Sequence, residues 1–87
     1  MKVIELVAYN VRRLRIKHLI SQEALALDSG VARTHVSRIE RGLENCTILV
    51  LEKFADVIGC KVSEFFEEPI TNTPIKPMRS GRKSKLF

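Results

Sequence analysis

SQEALALDSGVARTHVSRIERG, residues 21–42, holds two short helical patterns separated by a glycine. Ser21 belongs to the class of residues that cap a helix by accepting a bond from a free backbone N–H, and Leu25 and Ala26 share one face of the helix that follows. Gly30 supplies the left-handed residue that ends this helix. A second helix runs to about Arg41 and stops at Gly42. On it Val36 and Ile39, three apart, define a buried face, which leaves Arg33, Thr34, Ser37 and Arg38 on the other side.

The flanking sequence extends the helical pattern in both directions. From Val3 to about Leu19, Ile4, Val7, Val11 and Leu14 recur every three or four residues, with Arg12, Arg13, Arg15 and Lys17 on other faces. After the Leu43–Cys46 loop, Thr47 caps a fourth helix that continues through Ile58 and ends at Gly59. Ile48, Leu51, Phe54, Ala55 and Ile58 form its expected inner face. Ser63 is expected to cap a short fifth helix, EFFE. Pro69, Pro74 and Pro77, set among Thr, Asn and Ser, exclude a further helix, so the chain divides into a folded unit at 1–68 and a flexible basic tail at 69–87.

The run NVRRLRIKHLISQEALALDSGVARTHVSRIERG, followed by TILVLEKFADVIGCKVSEFF, resembles the Cro and repressor-type helix-turn-helix family, also called the XRE family, across residues 4–67. Arg15, Gln22, Leu25-Ala26, Gly30-Val31, Ile39-Glu40-Arg41-Gly42, Ala55 and Gly59 fix the register. The resemblance implies an all-α, compact five-helix lambda-repressor-like DNA-binding domain. It further implies a regulator of transcription that binds specific double-stranded DNA as a homodimer. Within the family, the small single-domain form resembles phage-type repressors and the controller proteins of restriction-modification systems. Two positions depart from the pattern: Ala32 stands where a serine or threonine commonly caps the reading helix, and Cys46 replaces a proline common before helix four.

A helix fits the major groove of B-DNA, and a guanidinium near its start can donate two bonds to O6 and N7 of guanine. Arg33 is the first candidate for this role. Thr34 suits a base edge or a thymine methyl, and Ser37 and Arg38 occupy the family's other groove-facing positions, Arg38 reaching a base or only phosphate. The plain alternative is that Arg33, Arg38 and Arg41 form a solvated helix face. Gln22 opens helix two, where free N–H groups and the positive dipole end suit a phosphate, and the resemblance implies that this glutamine reaches one. Arg41 and Asn45 flank the far end of the reading helix as further backbone candidates. His35 fits either the DNA margin or a functionless solvent position. The resemblance also assigns Arg15 and Glu40 to a structural ion pair that ties the first helix to the reader.

Leu49, Val50 and Val57 add apolar surface to helix four beyond its inner face. Together with Phe65 and Phe66 they form the expected homodimer interface, the alternative being that they enlarge the core of a single subunit. The net charge of +5 lies entirely in residues 76–87, since Lys76, Arg79, Arg82, Lys83 and Lys85 stand there without an acid. Such a segment follows the DNA backbone or is a solvated end. Within the body, residues 1–41 hold eight basic and four acidic side chains, against two and six in 42–75. The positive half therefore contains the reading helix. No run approaches the ~18 apolar residues of a membrane span and the N-terminus lacks a secretory pattern, so a cytoplasmic location is expected. Cys46 and Cys60, even with His18 and His35, do not match a zinc spacing, and no nucleophile–base or paired-carboxylate constellation is visible, so neither metal, cofactor nor enzymatic activity is expected. An antitoxin-like protein-interaction module is the second reading.

Overall fold

The computed structural model describes residues 1–69, so the expected basic tail lies, but for Pro69, outside the described residues. Four α-helices, α1 (Val3–Lys17), α2 (Gln22–Ser29), α3 (Arg33–Glu40) and α4 (Ile48–Ile58), are followed by a short 3-10 helix at Val62–Phe66. None of them is long and apolar enough to cross a membrane.

Local hydrogen-bond chemistry sets the boundaries. Ser21 Oγ accepts from the Ala24 N–H at 2.9 Å and Thr47 Oγ1 from the Val50 N–H at 3.1 Å, each satisfying an N–H that has no partner inside its helix. At the other ends Gly30 and Gly59 take left-handed conformations with φ of 77° and 85°. There the chain reverses while two successive N–H groups converge on one carbonyl, Ala26 O for α2 and Ala55 O for α4.

The core gathers Val11 and Leu14 of α1, Leu25 of α2, Val36 and Ile39 of α3, Leu51, Phe54, Ala55 and Ile58 of α4, and Phe65. α3 contributes only Val36 and Ile39 to it, and Arg33, Thr34 and Arg38 on the other side of that helix are exposed. Asn10 is the one uncharged polar side chain buried among the described residues. Its Nδ2 donates to Phe65 O and Glu67 O at 2.9 and 2.8 Å, and its Oδ1 accepts from Arg13 Nε. This fastens the 3-10 helix to α1 by satisfying carbonyls that the short helix leaves free.

Three expectations are corrected here. The last element is not an α-helix capped by Ser63: it is a 3-10 helix that begins at Val62, Ser63 lies inside it, and Glu64 Oε2 reaches back to accept the Lys61 N–H at 2.9 Å. Ile48 does not join the inner face of α4. It is 78% exposed, because the first turn projects beyond the core, whose α4 members begin at Val50 and Leu51. Phe65 is 0% exposed and belongs to the subunit's own core, which removes it from any interface between subunits.

Candidate nucleic-acid interface

The orientation of α3 is fixed at its C-terminal end by one carboxylate. Arg15 Nε donates to Glu40 Oε2 at 2.6 Å and Nη2 to Oε1 at 2.9 Å, a bidentate pair that joins α1 to α3. The third arm of the guanidinium, Nη1, donates to Ile20 O at 2.8 Å in the turn that leads to α2. Gln22 Nε2 also donates to Glu40 Oε1, at 3.1 Å. Three helices therefore meet at Glu40, whose side chain is 3% exposed against 11% for Arg15. Planar, two-point bonding of this kind restricts rotation as well as distance.

With the buried edge of α3 pinned in this way, its outer surface carries the sequence-expected reading residues together. Arg33, Thr34 and Arg38 are exposed, and Ser37 is half-buried. Val36 and Ile39 lie beneath them. His35 is half-buried beside this face. Arg41 and Asn45 are exposed past the C-terminal end of α3, in the segment that turns at Gly42, where φ is 71°. Gln22 opens α2, but its amide is committed to Glu40, so only its remaining N–H and its carbonyl are available to a ligand. Arg38 has a partner as well: its Nε donates to Glu44 Oε1 at 2.9 Å. Sequence spacing gave no sign of this contact, since the partners are six residues apart across a glycine turn.

The start of α3 carries less than it could. Ala32 precedes the helix and makes no side-chain cap bond, so the first N–H groups of α3 lack the acceptor that a capping side chain supplies. Ala32→Ser is therefore expected to raise the unfolding free energy by about 1 kcal/mol, read as a higher urea midpoint at unchanged slope.

Neither cysteine is activated. Burial pushes the Cys46 thiol up to about 11, and burial together with the charge of Glu64 raises that of Cys60. Both are neutral thiols at pH 7, the form that neither attacks nor ligates well.

Comparison with known proteins agrees with this geometry. The family model described as Helix-turn-helix matches residues 11–65. A hypothetical transcription factor of Neisseria meningitidis is 37% identical over 62 residues, 71% of this chain and 58% of its own length. The chain thus spans little more than half of that relative. The control protein C.BamHI of Bacillus amyloliquefaciens is 34% identical over 58 residues, covering 66% of this chain and 72% of that one. Among solved structures, the restriction-modification controller protein C.AhdI of Aeromonas hydrophila superimposes with a TM-score of 0.70 at 32% identity, over 72% of this chain and 96% of that one. The chain belongs to the XRE-type helix-turn-helix family of DNA-binding transcriptional regulators.

Proposed function

We propose that the chain is a sequence-specific regulator of transcription that binds double-stranded DNA in the cytoplasm as a homodimer, with α3 in the major groove. The observation that carries this reading is the outer face of α3, where Arg33, Thr34, Ser37 and Arg38 stand together on a helix that Glu40 holds rigidly to two others. Base reading needs this rigidity, because hydrogen bonds to base edges discriminate only when the donors arrive in fixed register. Gln22, Arg41, Asn45 and His35 border the face and are assigned to the phosphates. The likeness to restriction-modification controller proteins supports a small regulator whose occupancy follows its own concentration through dimerisation.

The homodimer reading is supported by apolar surface on α4. Leu49 is 59% exposed and Phe66 of the 3-10 helix 43%. Val50 and Val57, two helical turns apart on one side of α4, are packed partly against the core and contribute only their outer edges. A two-fold DNA site presents half-sites ~34 Å apart, so two copies joined through a symmetric patch place two reading helices in successive major grooves.

Selection of duplexes from a random pool, followed by salt titration of the winner and of an unrelated duplex, tests the reading. A defined two-half-site sequence and a steep loss of affinity with salt are expected. Recovery of no preferred sequence would exclude it. Within that assay Arg33→Ala is expected to cost about 1–3 kcal/mol on the selected site and to relax preference at one base pair per half-site, with little change on unrelated DNA. An unaltered selected sequence would remove Arg33 from the reading set.

A further inference from the structure

Glu44 is an acid on a surface otherwise suited to phosphate. It lies between Arg41 and Asn45, both exposed, in the segment that follows α3. A carboxylate there repels a duplex backbone, and an exposed ion pair contributes little to folding, so neither affinity for DNA nor stability accounts for it. Its contact with Arg38 does. Glu44 Oε1 accepts from Arg38 Nε at 2.9 Å, and the Leu43 N–H donates to Arg38 O at 2.9 Å across the Gly42 turn, so the backbone holds the acid beside its partner.

The atom that makes the bond matters. The pair runs through Nε, and neither terminal nitrogen of Arg38 has a partner among the described residues. Guanine is read by two parallel N–H bonds to neutral acceptors, O6 and N7, whereas phosphate attracts a guanidinium by its charge as much as by its donors. A carboxylate at Nε offsets the charge that draws Arg38 to the backbone. It leaves the terminal pair of donors, the edge suited to a base, untouched.

We infer that Glu44 is a positioning residue of the reading face: bonded to Arg38 Nε, it turns the Arg38 guanidinium away from phosphate and toward a base edge. The inference rests on the proposed reading of DNA by α3. It makes Glu44 a determinant of sequence preference that acts through Arg38, with a charge that phosphate repels.

Glu44→Gln, which removes the charge at nearly constant size, is to be compared with wild type, Arg38→Ala and the double variant. Each is assayed for sequence selection and for salt dependence on a random-sequence duplex. With Arg38 present, Glu44→Gln is expected to steepen the log–log salt slope by about 0.9, the value for one more cation engaged at a phosphate. It is also expected to reduce preference at the base pair read by Arg38 by about tenfold. In the Arg38→Ala background it is expected to change neither quantity. Equal effects in both backgrounds would make Glu44 a free-standing repulsive charge and overturn the inference. Unchanged slope and preference in the Arg38 background would overturn it as well. If wild type itself selects no sequence, the reading by α3 fails and takes the inference with it; if wild type selects a site and Glu44→Gln is inert, the role of Glu44 alone is refuted.

Discussion

Glu40→Ala is expected to lower the unfolding free energy by about 3–5 kcal/mol, the cost of leaving the other member of a buried ion pair uncompensated. The carboxylate accepts from Arg15 twice and from Gln22 once. Its loss leaves the charge of a guanidinium that is 11% exposed uncompensated, with only the Nη1 bond to Ile20 O retained, and removes the carboxylate that the Gln22 amide donates to. A small domain is stabilised by only about 5–10 kcal/mol in total, so most of that margin disappears. Replacing the pair together, as Arg15→Met with Glu40→Leu, is expected to be milder than Glu40→Ala alone, because no charge is then left buried. Urea unfolding of the three proteins checks this. Coincident midpoints for wild type and Glu40→Ala would show that Glu40 is not what holds α3, and the proposed reading face would lose its foundation.

The sequence made some of this visible and hid the rest, and the division follows the range of the interactions. Ser21, Gly30, Thr47 and Gly59 act on their own backbone within three or four residues, so their roles can be read from the string, and all four stand where a helix begins or ends. Periodicity assigns a face but not the length over which that face is covered. Ile48 therefore fits the inner stripe of α4 by spacing and still projects past the core. The same limit applies to Phe65 and Phe66, adjacent aromatics of which one is buried and one is not. At Asn10 a signal was present: it falls three residues after Val7, on the apolar side of α1, where a polar residue demands a partner. The partners are carbonyls more than fifty residues away, which periodicity cannot supply. Glu44 gave no signal at all, because its contact with Arg38 depends on the reversal at Gly42 rather than on helical spacing.

Leu49→Glu is expected to separate the proposed homodimer by several kcal/mol, raising its dissociation constant by at least about a hundredfold, because a residue near a two-fold axis meets its own copy and two carboxylates would be forced together. Leu49 is the cleanest position for this test. It is 59% exposed, so the subunit's own core does not depend on it, whereas Val50 and Val57 pack partly against that core and a charge at either would unfold the subunit as well as divide the dimer. The unfolding free energy of the separated subunit should stay within about 0.5 kcal/mol of wild type, as for other exposed substitutions. Affinity for a two-half-site duplex should fall while affinity for a single half-site is retained, since the proposed reading face on α3 is untouched. Leu49→Lys should separate the subunits equally well. An equimolar mixture of the two variants should then reassociate, because opposite charges now face each other across the axis. Sedimentation velocity of the two variants and their mixture reads all three states. If Leu49→Glu sediments with wild type, the interface lies elsewhere on the surface; if both variants are monomeric and the mixture stays so, Leu49 contributes to association without lying near the symmetry axis.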